Sequence, residues 1–348
     1  MTNIWMAAGG TGGHISPCVA VAENLPDGIN LLCFTLEKNL DYPDIRKLPG
    51  HVLSYPAKKI PRSPGDALSF FLGFLRSLRI LSREQKKSRP DAILAFGGYP
   101  SFPILAFAQW KKIPYFLFEQ NSRPGMVTRV FRKKAKGVFY SFPRSHYGSN
   151  EHLTGNPVRR QIREKYQPGE NHRPPRSILI TGGSQGARDL NQLYLAMIRD
   201  PYFDQIKITL SAGEKNLADV SSQARKSDNI YGFIEDMHNK LNECDLVICR
   251  SGSGTVFENL VFHKPAIYFP YPHATDNHQF HNAVLLKEAG VCEIVQMQPF
   301  NAIEAAREVK AILEDKDRMN NARNPEWETG IPLDAHQSVW ERMKYLLQ

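Results

Sequence analysis

Residues Gly9-Gly10-Thr11-Gly12-Gly13-His14 place four glycines, a hydroxyl and an imidazole in six positions. Glycines let backbone N–H groups approach an anion closely, and an imidazole at a loop lip can move a proton at neutral pH. The spacing is not a Walker A loop, because no Lys follows. Gly10-x-Gly12 also lacks the third glycine of a dinucleotide fingerprint. The chemistry on offer is anion binding beside a proton acceptor, His14. A second constellation, Arg250-Ser251-Gly252-Ser253-Gly254-Thr255 with Glu258 shortly after, offers backbone and hydroxyl donors to a diphosphate. Glu258 would accept from the two hydroxyls of a ribose, and Arg159 could pair with a phosphate oxygen. No metal or cofactor is expected. His273, His278, His281 and Asp276 match no standard zinc spacing, and Asp276 reads more simply as a helix cap. Asp315-Lys316-Asp317 reads as a solvated helix end.

These groups need strands and helices to hold them. Ile4–Ala7 reads as a buried strand and Ser16-Pro17 as the start of a helix, with Ser16 capping and proline in the first turn. Further strands are expected at 30–35, 51–55, 92–96, 115–118, 137–140 and 152–154. Gly97-Gly98 and Glu119-Gln120-Asn121 then stand at strand ends. A polar, proline-rich linker is expected over 158–176, between a first domain at 1–157 and a second at 177–331. The second domain opens with a strand at 177–181 and the turn Gly182-Gly183-Ser184-Gln185-Gly186-Ala187, an echo of the first loop. Its other strands are expected at 206–210, 230–233, 246–249 and 266–270. A last helix over 332–348, with Trp340, Met343 and Leu347 on one face, would return to the first domain. Strand and helix alternation gives an α/β fold of two doubly wound, Rossmann-like parallel sheets facing across a cleft, with ligands at the carboxyl ends of strands.

Size and composition agree with that plan. The chain has 348 residues, 42% of them hydrophobic, and no apolar run long enough for a membrane span. No signal peptide is read at the start, because Gly9–His14 interrupts the first apolar run. Five scattered cysteines argue for reduced thiols. The net charge of +9 is one-sided: residues 1–160 hold 23 Lys and Arg against 10 Asp and Glu, and the remainder 21 against 25. Within the basic half, residues 66–87 place Leu68, Phe71, Leu72, Leu75 and Leu78 at helical spacing, and Phe70, Phe74 and Leu81 widen the arc beyond one core-facing stripe. Lys58, Lys59, Arg62, Arg76, Arg79, Arg83, Lys86 and Lys87 surround it, the pattern of a helix that lies on an anionic membrane surface. Nucleic acid is not the expected partner, because the cluster is helical and aliphatic and not a strand platform with interleaved aromatics.

Taken in order, Gly9–His14, Glu119-Gln120-Asn121, Gly155-Asn156-Pro157-Val158-Arg159, Gly182–Ala187 and Arg250–Glu258 resemble the MurG family over nearly the whole chain. These are the undecaprenyl-diphospho-muramoylpentapeptide N-acetylglucosaminyltransferases of peptidoglycan synthesis. The resemblance implies a GT-B fold, UDP-GlcNAc as donor, lipid I as acceptor and lipid II as product, at the cytoplasmic face of the inner membrane beside other cell-wall synthesis proteins. It also implies that Thr11, Gly12, Gly13, Asn121, Arg159 and Ser184 touch substrate phosphates or sugar, and that Ile234 lies against uracil through its backbone. Ser253, Gly254, Thr255, Val256, Phe257 and Glu258 would hold the diphosphate and ribose, and Gln279 the sugar hydroxyls. His14 is then the expected general base of an inverting displacement. The chain departs from the family at Phe118, where a His is common, which puts a catalytic role for that position in doubt. Another UDP-sugar enzyme of the same fold, such as a UDP-GlcNAc 2-epimerase, is the alternative, and the 66–87 segment is what such an enzyme would not need.

Overall fold

A computed structural model describes residues 2–10, 12–59, 61, 63–167, 175–183, 186–315, 318 and 330–348. Thr11, Ser184 and the Asp317 of the Asp-x-Asp sequence lie outside the described residues. The chain divides into two compact units, Met1–Arg160 with Ile331–Gln348, and Gln161–Gly330.

In the first unit the strands are β1 (Thr2–Ala7), β2 (Ile29–Thr35), β3 (His51–Ser54), β4 (Ala92–Ala95), β5 (Tyr115–Glu119), β6 (Gly137–Tyr140) and β7 (Glu151–Leu153). They form one parallel sheet in the order β3-β2-β1-β4-β5-β6-β7. The second unit holds β8 (Ser177–Thr181), β9 (Lys207–Ser211), β10 (Asn229–Tyr231), β11 (Leu246–Cys249), β12 (Ala266–Tyr268) and β13 (Cys292–Ile294). These are parallel in the order β10-β9-β8-β11-β12-β13. β13 has no counterpart among the expected strands. The order reverses between β1 and β4 in one sheet and between β8 and β11 in the other. Loops leaving the carboxyl ends of those strand pairs frame the crevice where such sheets bind ligands.

The helices are α1 (Gly12–Ala22), α2 (Pro43–Arg46), α3 (Pro64–Lys87), α4 (Ser101–Lys111), α5 (Met126–Phe131), α6 (Arg160–Arg163), α7 (Arg188–Met197), α8 (Leu217–Gln223), α9 (Met237–Glu243), α10 (Ser253–Val261), α11 (His278–Glu288), α12 (Ala302–Glu314) and α13 (Ala335–Leu347). Strands such as Ala92-Ile93-Leu94-Ala95 are buried along their whole length, as a sheet covered on both faces requires. Alternation then splits the first unit's core in two. Ile4, Met6, Phe116 and Phe118 pack with α1 and α13, while Trp5, Ala7, Tyr115 and Leu117 pack with α4. Trp340 of α13 donates its indole N–H to Val21 O at 2.8 Å, so the last helix is fastened to α1 by a buried polar contact as well as by packing. All five cysteines are buried as free thiols.

The helix after β1 begins at Gly12, one turn earlier than Ser16-Pro17 would start it. A proline at 17 removes only its own N–H, so the turn before it can still wind through Gly12 and Gly13. Ser16 is therefore inside the helix, and His14 is its third residue.

The structure also decides between the two apolar arcs of α3. Gly73, Ser77 and Leu81 face inward, whereas Leu68, Phe71 and Leu72 are 67%, 54% and 43% exposed. A Cβ at Gly73 would stand 2.6 Å from Pro56 O, so only glycine allows the helix to lie this close to the chain beneath. Phe70 and Phe74 meet Phe102 of α4 at ring separations of 6.0 and 5.9 Å. Among the described residues no helix is long and apolar enough to cross a membrane.

Candidate active site

The loops after β1 and β4 meet at His14. Its Nδ1 lies 2.8 Å from Phe96 O, and a carbonyl can only accept, so Nδ1 carries the proton and Nε2 the lone pair. The Gln120 carboxamide contacts the same nitrogen. The same carboxamide nitrogen donates to Phe96 O at 3.3 Å, so Gln120 braces the carbonyl that holds the imidazole. Gln120 is buried and holds the ring from the end of β5. Across the imidazole lie Gly97 and Gly98, with φ of 70° and 68°. A Cβ at Gly98 would sit 3.1 Å from His14 Nε2, so only glycine lets this backbone lie so close to the ring. Asn39, 2% exposed, accepts from Gly10 N–H at 3.0 Å and ties the first loop down.

Asn121 stands on a loop shaped by Glu119. That buried carboxylate accepts from Asn121 N at 3.2 Å, Gly125 N at 2.9 Å and Thr128 Oγ1 at 2.6 Å. Burial raises its proton affinity, and these hydrogen bonds oppose the rise. Phe118, next to it, is fully buried against Phe96 at a ring separation of 5.4 Å. Position 118 therefore faces the core, and its side chain takes no direct part at the loop edge. Arg159 pairs through Nη1 with Asp44 of α2 at 2.9 Å, both half-buried.

In the second unit the loop after β11 leads directly into α10, which starts at Ser253 behind Gly252. A Cβ at Gly252 or Gly254 would meet nothing within 4 Å, so the helix N-terminus opens onto free space. Unbonded N–H groups and the helix dipole make this a place for an anion. Gly254, Thr255 and Glu258 are partly exposed, whereas Val256 and Phe257 are fully buried. Those two side chains belong to the core, which leaves only their backbone to face a ligand. The same holds for Ile234, 3% exposed on the loop after β10.

The frame around α10 was not legible from motifs. Arg250 pairs with Asp189 of α7 and donates to Phe269 O at 2.9 Å. Ser251 Oγ donates to Gln279 O at 2.8 Å, and Gln279 Oε1 accepts from Tyr271 N–H at 2.9 Å. Asp276 does not cap α11. It and Asn277 sit at φ of 53° and 51°, in the left-handed region, and the helix begins at His278 with no side-chain cap. Two successive non-glycine residues in that region constrain the backbone just before Gln279. Among the described residues no three His, Cys, Asp or Glu side chains cluster as a metal site. Sequence reasoning missed Gln120, Asn39 and Asp189, whose partners lie 29 to 106 residues away. Only the glycine turn at 97–98 signalled that something approaches there.

The N-terminal domain of glycosyltransferase family 28 matches residues 4–140 and its C-terminal domain residues 177–332. A transferase of Coxiella burnetii (strain RSA 331 / Henzerling II) is 33% identical over 331 residues, covering 92% of each chain. It is named UDP-N-acetylglucosamine--N-acetylmuramyl-(pentapeptide) pyrophosphoryl-undecaprenol N-acetylglucosamine transferase. The crystal structure of Acinetobacter baumannii MurG is similar with a TM-score of 0.78 at 25% identity, over 99% of this chain and 100% of that one. A UDP-N-acetylglucosamine 2-epimerase structure shares the fold alone, with a TM-score of 0.67 at 14% identity, over 99% and 96%. At that identity over nearly its full length, the chain belongs to the MurG family of N-acetylglucosamine transferases, within glycosyltransferase family 28.

Proposed function

We propose that the chain transfers N-acetylglucosamine from UDP-N-acetylglucosamine to the 4-hydroxyl of the muramoyl sugar of lipid I, giving lipid II. The observation that carries this reading is the 33% identity, over 92% of both chains, to a transferase named for that donor and acceptor. His14 Nε2 takes the proton of the acceptor hydroxyl as its oxygen attacks C1 of the donor sugar. The bond from C1 to the diphosphate breaks on the opposite face, the anomeric centre inverts, and UDP leaves with the bonding electrons. The N-terminus of α10 and the Ser253 and Thr255 hydroxyls meet the charge on the leaving diphosphate, so no metal is required. Glu258 holds the ribose and Gln279 the sugar, while Gly12, Gly13 and Asn121 hold the acceptor side. Thr11 and Ser184 are assigned to contacts with substrate phosphate or sugar on the family resemblance alone.

The acceptor is lipid-linked, and the enzyme is read as peripheral to the cytoplasmic face of the membrane. Support comes from α3, whose Leu68, Phe71 and Leu72 project outward among Arg76, Arg79 and Arg83. α4, packed against both α3 and α5, adds exposed Trp110, and α5 adds Met126 and Val130. Apolar projections among cations suit an anionic bilayer, each basic group near the surface contributing about 1 kcal/mol. Incubation with labelled UDP-N-acetylglucosamine and lipid I, followed by product analysis, tests the activity. Labelled lipid product with release of UDP is expected. Epimerisation of the donor without transfer would contradict it.

A further inference from the structure

The first unit contains a pocket of about 840 Å³ that none of the expected site residues lines, a volume typical of ligand sites. Its walls come from the segment after β2 (Leu36, Glu37, Lys38), the segment after β3 (Ser54 to Lys59), and α3 (Asp66, Ser69, Phe70). Tyr99 also lines it, and the same ring stands 3.6 Å from a Cβ placed on Gly10, so this wall of the pocket is shared with the first glycine loop. Asp66, Ser69 and Phe70 belong to the helix that carries the exposed Leu68, Phe71 and Leu72. The lining is charged in both senses. Lys38, Lys58 and Lys59 face it together with Glu37 and Asp66, and among the described residues none of the five enters an ion pair. Lys58 is held by its stem, which packs over Gly73.

This distribution favours one part of the acceptor over another. A diphosphate is a concentrated anion, which Glu37 and Asp66 would repel, and the start of α1 already offers it unbonded N–H groups. A peptide carries carboxylates, and can carry amines, spread along its length. Peptide joined to the carboxyl group of a muramyl sugar is attached by its amino end and finishes in a free carboxylate. Five extended residues reach at most about 17 Å, and Tyr99 joins the pocket wall to the first glycine loop. Building on the transferase reading above, we propose that this pocket binds the peptide of the acceptor, with Lys58 and Lys59 receiving its terminal carboxylate.

The test uses wild type and the Lys58→Gln/Lys59→Gln variant on two water-soluble acceptor analogues with a short isoprenyl chain, which removes the membrane from the comparison. One analogue has a free peptide carboxylate and the other has it amidated. The double substitution should raise the acceptor KM about tenfold for the free carboxylate, as two solvent-facing ion pairs allow. Wild type should itself bind the amidated analogue more weakly, and the two enzymes should match on it. An equal rise on both analogues would assign the lysines to the diphosphate or a general field and overturn the proposal, as would an unchanged KM on the free carboxylate. Unchanged thermal unfolding of the variant confirms that it is folded. Failure of wild type to transfer to either analogue would overturn the transferase reading itself, whereas normal transfer with an unmoved KM would overturn the pocket assignment alone.

Discussion

The two units place a helix N-terminus at the same topological point and equip it differently. In the first, loops after β1 and β4 bring an imidazole to glycines at 97 and 98, and Phe96 O fixes its proton on Nδ1. In the second, loops after β8 and β11 bring no base. They offer an open helix start, hydroxyls, and Glu258 one turn in, all braced by Arg250 on Asp189. On the proposed assignment one fold serves proton transfer in one unit and anion binding in the other, and the side chains grafted onto the strand ends decide which.

If that division is right, variants at the two sites separate into turnover and donor-affinity effects. His14→Ala should lower kcat about 100- to 10,000-fold, the span of a lost general base, measured as transfer to lipid I. Replacing Leu68, Phe71 and Leu72 together by Ser should lower binding to anionic vesicles about 100-fold in a sedimentation assay, because interfacial insertion buries each side chain only in part and about 1 kcal/mol apiece is lost, below the roughly 1.5–3 kcal/mol of full burial. Transfer to a water-soluble acceptor should survive that change. Gly98→Ala places a methyl 3.1 Å from Nε2 on backbone with positive φ, and should lower kcat about tenfold or more while UDP-N-acetylglucosamine KM holds. Glu258→Gln should do the reverse, raising the donor KM about tenfold through loss of a charged hydrogen bond, with a smaller effect on kcat.

The smallest effect concerns pH and treats the units alike. Burial lowers the pKa of His152 in the first unit, helped by Arg342, and that of His263 in the second, both from 6.5. Below pH 6.5 the unfolded chain takes up protons that the folded histidines still refuse, so stability falls as pH drops through that range. Thermal unfolding followed from pH 7.5 to 5.5 should show it, and His152→Gln should reduce the slope. A midpoint that rises on acidification would contradict the assignment.

Most of the strands and the two nucleotide-type turns were legible because strands covered on both faces are continuous apolar runs bounded by Gly and Pro. What was not legible depended on distant partners. The inward arc of α3 is chosen by Gly73 against Pro56, which no periodicity reveals. Phe118 looked like a missing imidazole, yet the alternation of β5 turns that position to the core. The Asp44 partner of Arg159, 115 residues earlier, was likewise invisible. His14 was visible as a type of residue, but its tautomer came only from the approach of Phe96 O.

The most direct measurement joins donor binding and chemistry in one variant: calorimetric titration of His14→Ala with UDP-N-acetylglucosamine, beside single-turnover transfer from the preloaded enzyme to lipid I. The division of labour described here predicts a donor Kd within about twofold of wild type and a transfer rate at least about 100-fold slower. Lost donor binding with normal turnover of whatever donor remains bound would contradict it.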